Sequence, residues 1–446
     1  MTGLARAMWM GIAAVVIGGM GSTKQGGTPA YFTDEERARV MAYWNEPGRY
    51  IVSAPKGDGP WVVRLTPAAS IWFLAYNRAC GAAKAPPTQQ VPQASGTVPA
   101  EWEKWVTAKL EYDLARARAA ADAANSLAVG RQPSPQSLPA PPPAVPQSLL
   151  QAVGNPPPFA AAVAPMSYTV TLDSGTTVSY TDQVPVPKRY AYFRYAEGVI
   201  YPGTPLRSLP KQDLEKLFTG AGLTPFEAHV MAAVSPLEGG FDAINTYDTG
   251  VVSVGFIQFA CLSSGGGSLG ALLLREKREA PADFERDFRR FGLDVTPDGL
   301  LVAVDPDTGA ELIGQPAALK IVQDKRLTAV FQIAGAHSDT FRRMQVREAK
   351  QRFYPADDVL TFTVGGKDLS VRVGDIIRSE AGMATLFDRK VNRGTLDPLP
   401  QVMSQVMTEH SLTDPKALSA YEREIVSAMR YRRNFLADAT LTQPAP

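Results

Sequence analysis

Residues 131–165, RQPSPQSLPAPPPAVPQSLLQAVGNPPPFAAAVAP, are so dense in proline that they constrain everything on either side. A proline has no amide hydrogen and holds φ near about −65°, so neither a regular helix nor an interior strand can run through such a stretch. The expectation is a semi-stiff, extended linker. It divides the sequence into an amino-terminal part and a larger carboxyl-terminal part that holds all of the chemistry-bearing patterns.

With 446 residues, 45% hydrophobic and 20% charged, the chain is long enough for two or three globular domains. Residues 1–24, MTGLARAMWMGIAAVVIGGMGSTK, place Arg6 ahead of an uncharged, mostly apolar run that ends before Lys24. That order of charge and apolarity reads as a signal peptide. A clean small-x-small cleavage site is missing, so an uncleaved membrane anchor stays open. Either version places the remainder outside the cytoplasm, secreted or in the cell envelope.

Residues 31–80 read as a small α+β module: a capped helix running into a strand, then a strand followed by an aromatic-rich helix. Its Trp44, Trp61, Trp72, Phe73 and Tyr76 suit a core, with a sugar-stacking surface as the alternative. Residues 100–128 are rich in Ala, Leu, Lys, Arg and Glu and lack Gly and Pro, which predicts one long helix.

Beyond the linker, residues 166–189 alternate β-branched and aromatic residues with polar ones around Asp173-Ser174-Gly175, predicting a β-hairpin. From about Tyr190 to 440 the pattern is mainly helical. Ser208 is a candidate cap with Pro210 and Gly220 bounding the next helix, and Thr224-Pro225-Phe226-Glu227 matches a capping box. Helices are expected over 269–278, over 281–291 and in two pieces between 317 and 354, with a hairpin at LDVTPDGLLVAVDPDTGAELIG between them. The fold class is α+β, mainly helical, with small β-hairpins.

Lys+Arg 45 against Asp+Glu 44 gives a net charge of +1, so nothing global points to nucleic acid. Cys80 and Cys261 support neither a disulfide framework nor a thiolate site, and His229, His337 and His410 lack ligand spacing. No metal or cofactor is implied. Arg342, Arg343, Arg347, Lys350 and Arg352 form a basic helix face, read as solvated, with cell-wall carboxylates or acidic lipids as the alternative. CLSSGGGSLG reads as a flexible connection without the features of a phosphate loop.

The densest chemistry lies in SPLEGGFDAINTYDTGVVSVGFIQF, residues 235–259. A helix starting at Pro225 places Phe226, Val230, Ala233, Val234 and Leu237 on one stripe, with Glu238 at its edge. A carboxyl half-withdrawn from water at a helix carboxyl terminus has a raised pKa, as a general acid near neutral pH requires. Gly239-Gly240 then stops the helix, and the following segment reads as a hairpin turning at Asp248-Thr249-Gly250. Asp248 in a wet turn stays ionised while Glu238 keeps its proton, and two carboxyls in opposed environments are the machinery of glycoside hydrolysis.

These residues carry a resemblance. Glu238-Gly239-Gly240-Phe241, an aspartate ten residues on, Ser253 and the Val254-Gly255-Phe256-Ile257 strand end are similar to the active-site block of the lysozyme superfamily. The likeness is greatest to phage-type lysozymes and to muramidases that begin this block E-G-G-Y, with a fainter one to chitosanases. GMATLFDRKVNRGT resembles a second block of those muramidases through Leu386, Phe387, Asp388, Val391, Asn392 and Gly394. The resemblance implies a two-lobed lysozyme-like catalytic domain over residues 190–440, with Glu238 as general acid, Asp248 as second acidic residue and Ser253 as the hydroxyl that holds the attacking water. Serine stands where threonine is more usual, and spacing leaves Asp242 open as the partner instead of Asp248. Asp242, Tyr247, Gln258 and Asn392 are the candidate substrate contacts; Asn392 has the alternative of capping its own helix.

The expected activity is a glycoside hydrolase cleaving the glycan strand of peptidoglycan or a related amino-sugar polymer. The rivals are a chitosanase-like or lytic-transglycosylase-like enzyme and a catalytically silent binding module of an envelope or phage-related assembly.

Overall fold

The computed structural model describes residues 30–54, 61–80, 99–184, 194–430 and 432–445. The signal or anchor expected at residues 1–24 lies outside the described residues. Among those described, no helix is long and apolar enough to cross a membrane. The expected class is observed: an α+β chain, mainly helical, whose sheets are all small and antiparallel.

The first part comprises α1 (Asp34–Trp44), β1 (Tyr50–Ser53), β2 (Val62–Leu65), α2 (Pro67–Ala79), α3 (Ala100–Ala128), α4 (Gln147–Val153), β3 (Ala160–Val163), β4 (Ser167–Thr171) and β5 (Thr177–Thr181). Thr33 and Glu36 form the capping box that starts α1, and Thr66 caps α2 ahead of Pro67. The expected hairpin is β4–β5, but β1 joins it into a three-stranded sheet, β1–β4–β5, while β2 pairs with β3.

Residues 31–80 therefore do not make one module. Phe32, Val40 and Trp44 belong to the large carboxyl-terminal core, where the Trp44 indole donates to the Phe291 carbonyl at 2.9 Å. The Glu311 carboxylate accepts the amides of Tyr31 and Phe32 at 3.1 and 2.8 Å. Trp72, Phe73 and Tyr76 instead join Trp102, Trp105, Leu149 and Phe159 in a second, aromatic core. Of the aromatic residues considered for sugar stacking, only Trp61 is exposed. Each large side chain removed from water contributes on the order of 2 kcal/mol, so these rings hold the fold rather than a ligand.

The proline-dense stretch also departs from a plain spacer. Residues 131–146 have no regular structure, as expected, but 147–165 include α4 and β3 and bury Leu149 and Phe159. Prolines donate no amide hydrogen, so such a segment is short of donors and takes some of them from outside. Three indoles supply them: Trp105 to Pro143 O at 2.9 Å, Trp102 to Ser148 Oγ at 2.9 Å and Trp72 to Gly154 O at 3.3 Å. Thr66 donates to Pro158 O, and Asp113 accepts the Phe159 amide.

The second part begins with β6 (Ile200–Tyr201), α5 (Lys211–Gly220) and α6 (Pro225–Val234), followed by β7 (Ile244–Asn245), β8 (Ser253–Val254) and β9 (Phe259–Ala260). Then come α7 (Gly267–Glu279), α8 (Pro281–Asp287), β10 (Leu293–Val295), β11 (Leu301–Val304), β12 (Glu311–Ile313), α9 (Gln315–Gln323), α10 (Lys325–His337) and α11 (Asp339–Phe353). The chain closes with β13 (Val359–Val364), β14 (Lys367–Arg372), α12 (Val373–Ile376), α13 (Glu380–Arg393), α14 (Leu399–Glu409) and α15 (Glu422–Met429).

The hairpin expected near residue 300 is a three-stranded meander, β10–β11–β12. Ser208 lies in a short 3-10 turn and caps nothing. The glycine-rich CLSSGGGSLG stretch is a packed junction: a Cβ on Gly270 would lie 1.8 Å from the Gly299 carbonyl oxygen, so only glycine fits. The basic face of α11 is spent on neighbours, with Arg347 bound to Glu279 and Lys350 to Glu227. At the centre, α10 is buried from Lys325 to Gly335 and α13 from Glu380 to Asp388, so both are covered on every side.

Glu276 on α7 is fully buried, with the Asp287 carboxylate beside its own. Burial, reinforced by the Asp287 carboxylate, raises its pKa from 4.5 to about 9. The unfolded chain releases this proton first, so stability is full below pH 4.5 and is lost as pH rises toward 9. Glu276→Gln is expected to exceed wild type at pH 9 by at least about 1 kcal/mol in denaturant unfolding, and to match it within about 1 kcal/mol at pH 4.

Candidate functional site

The site is built where α6 ends. Thr224 and Glu227 form the expected capping box, Pro225 occupies the first helical turn, and the α-helix stops at Val234. Pro236 then sits in a 3-10 turn, Ser235–Leu237, closed by the Glu238 amide donating to Ser235 O at 2.9 Å. Glu238 is thus the cap residue of a tightened turn, rather than the next position along an α-helical stripe. Its side chain is 11% exposed.

Opposite it lies the last half of α13, the second block read from the sequence. Asn392 Nδ2 donates to Glu238 Oε1 at 3.2 Å and to Asp388 O and Oδ1 at 2.8 and 3.1 Å, which ties the site to its own helix. Both readings of Asn392, polar site residue and local helix partner, describe the same side chain. Asp388 is 1% exposed.

Arg432, from the segment after α15, closes the network. Its Nη1 donates to Glu238 Oε1 and to Asn392 Oδ1, the latter at 2.8 Å, and lies 3.8 Å from Asp388 Oδ1. Its Nη2 donates to Leu237 O at 3.0 Å.

Burial raises the Glu238 pKa from 4.5 to about 7 even though Arg432 and Asn392 pull it down; the Asp388 charge adds to the rise. Burial likewise pushes Asp388 from 3.8 to about 6 against the pull of Arg432. Two buried carboxyls facing one guanidinium balance charge when the pair keeps one proton. That proton is the chemical resource of the site. A cavity of about 470 Å³ borders Glu238, between the 202–207 loop, α5 and the end of α6.

The remaining candidates form separate groups. Asp248 is half-buried in the turn between β7 and β8, where it accepts Asn245 Nδ2 at 2.8 Å and the Gly250 amide at 2.9 Å. Ser253 starts β8 opposite Asn245 and is 5% exposed. A Cβ on Gly250 would lie 2.4 Å from Ser253 Oγ and 3.1 Å from Asp248 Oδ1, so the two side chains converge on that glycine. Neither borders the Glu238 cavity.

Asp242 is buried and accepts Thr204 N at 2.6 Å and Thr204 Oγ1 at 2.9 Å, fixing the loop that walls the cavity. It supports the site instead of facing it. Tyr247 is buried beneath the Arg194 guanidinium, 4.5 Å from its ring centre. Gln258 Nε2 donates to Gly255 O and lies beside Gly239, next to Glu238.

Sequence reasoning named Asp388 only as a motif residue and missed Arg432. Its distance along the chain from Glu238 left no local periodicity to reveal it; the signal available was a pair of arginines in YRRN just after the last long helix. Comparison with protein-family models, with curated proteins and with solved structures finds no match.

Removing the cation and removing the neighbouring anion should move Glu238 in opposite directions. In a carboxyl ¹³C NMR titration, Arg432→Gln is expected to raise the Glu238 midpoint above that of wild type, and Asp388→Asn to lower it. Shifts of the same sign in both variants would refute the shared-proton arrangement.

Proposed function

We propose that the chain is a lysozyme-like glycoside hydrolase acting on the glycan strand of peptidoglycan, as a secreted or envelope protein. The observation that carries this reading is the Glu238 carboxyl, whose pKa burial raises to about 7, in a residue that lines a cavity. A general acid must hold its proton at working pH and reach the leaving oxygen; this group meets the first condition, and its residue stands in the wall of a cavity. The two-lobed reading draws support from position: Glu238 joins the helical pair α6 and α13 to the segment that enters the four-stranded β6–β7–β8–β9 sheet.

In this mechanism Glu238 gives its proton to the glycosidic oxygen as the bond to the anomeric carbon breaks. Asp248, held as an acceptor in its turn, removes a proton from the attacking water, and Ser253 beside it fixes that water. Arg432 then pairs with the Glu238 carboxylate left behind, so the charge created by proton donation has a partner already in place.

One observation favours a second reading. Asp248 and Ser253 do not border the cavity next to Glu238, as suits a transglycosylase-like reaction in which a hydroxyl of the sugar itself attacks and no base need activate water. Product analysis separates the two: hydrolysis leaves a free reducing end, and intramolecular attack leaves an anhydro sugar.

Clearing of purified cell walls is expected for wild type and to fall by on the order of a hundredfold or more for Glu238→Gln. Asp248→Asn is expected to lose activity comparably on the hydrolytic route and to retain it on the transglycosylase-like route. Equal clearing by wild type and Glu238→Gln, or wall binding without clearing by wild type, would leave a non-catalytic binding module as the reading.

A further inference from the structure

The Glu238 side chain is 11% exposed and that of Arg432 is 33% exposed, so the guanidinium is the outer member of the pair. Its hydrogen bonds reach Glu238 Oε1, Asn392 Oδ1 at 2.8 Å and Leu237 O at 3.0 Å. They bridge the interval between the turn that ends α6 and the last turn of α13, a task that suits a planar group with several fixed donors. With Arg432 in this position Glu238 Oε1 accepts from two donors, Arg432 and Asn392, and both favour the ionised carboxyl. A proton donor needs the opposite: a carboxyl that holds its proton and touches an oxygen of its substrate.

Arg432 belongs to a strap, residues 432–445, whose other fixings do not involve it. Arg433 donates to Ala233 O at 3.2 Å and pairs with Asp438 at 2.7 Å, and Phe435 and Leu441 are buried. The Thr442 amide donates to Glu380 Oε2 at 2.8 Å, while Thr442 Oγ1 and O accept the Glu380 and Ala381 amides at 2.7 and 2.9 Å. The backbone of the strap therefore stays seated when the Arg432 side chain turns about its own single bonds. Release gives up only the contacts of that side chain, and a group already partly in water regains hydration in exchange.

We propose that Arg432 is a self-inhibitory bar over the acid site: at rest on Glu238 it keeps the glycan out, and the substrate binds the state in which this side chain has swung away from a strap that stays in place. The identity of the ligand rests on the glycosidase reading; the covering of Glu238 by Arg432 does not. Swinging out removes a cation from beside the carboxyl, so opening the way and strengthening the hold of Glu238 on its proton are one event. Once the proton has passed to the leaving oxygen, the guanidinium returns to the carboxylate.

Carbodiimide coupling of glycine ethyl ester to carboxyl groups, read by peptide mass spectrometry, measures the bar. At about pH 5 a carboxyl with a pKa of about 7 is protonated in wild type, and remains so without Arg432, so the coupling rate reports access. Glu238 is expected to couple about tenfold or more faster in Arg432→Ala and in Arg432→Gln than in wild type. Fully buried Glu276 is expected to stay uncoupled in all three, which marks an intact fold.

Equal coupling at Glu238 in wild type and in either folded variant overturns the bar. That result beside cell-wall clearing that depends on Glu238 keeps the glycosidase reading and removes the bar. Faster coupling in the variants, without clearing by wild type or by either variant, keeps the bar over Glu238 and removes the glycosidase reading.

Discussion

The burial of α13 is the constraint on which the carboxyl-terminal body turns. From Glu380 to Asp388 no residue of this helix faces water, so every neighbour must present a surface shaped to it. Its first turn shows how tightly it is held. Ser379 caps the helix and also binds Glu422 of α15, while Glu380 meets His229 of α6 and the Thr442 amide. The packing of α6 against α13 then sets the two helix ends that bring Glu238 and Asn392 within hydrogen-bonding distance. The acid site is a by-product of where two helices must cross, and its precision comes from the core beneath it.

Much of this was legible where local rules decide. The capping box at Thr224 and Glu227, the turn at Asp173-Ser174-Gly175 and the uninterrupted helix over Ala100–Ala128 follow from neighbouring residues alone. Glu238 as a withdrawn carboxyl at the end of α6 was legible too, because an apolar run stopping at Gly239-Gly240 leaves few other places for it. The partnership of Asp242 with Thr204 was not, since a short acidic side chain in a glycine-rich segment serves a loop or a ligand equally well until the loop's position is known. The split of residues 31–80 between two cores was equally hidden: Trp44 and Trp72 look alike in sequence, and only their distant partners, Phe291 and Phe159, tell them apart.

Arg432 gives the site its electrostatic character. One guanidinium faces two buried acids, an uneven charge count whose excess negative charge one shared proton cancels. A glutamate with a full counter-charge of its own would stay ionised, and one with none would hold its proton too firmly to give it up. Sharing the arginine between Glu238 and Asp388 places both acids between those limits, and Asn392 keeps the three side chains in register through contacts to each.

The two cores also differ in how far along the chain their members are spaced. The aromatic core draws on residues 69 to 159, so all of its parts are present once the proline-rich stretch has left the ribosome. Trp44 and Phe32 have no such early partners: their contacts to Phe291 and Glu311 span long intervals of chain, whereas β1 finds β4 soon after the aromatic core is complete. The earliest helix of the described chain thus exposes a tryptophan until late in synthesis, while the segment that follows it closes first. In a chain wired in this way the partners of the middle are made before those of the first helix, which must wait for residues near 291 and 311 before its tryptophan can be covered.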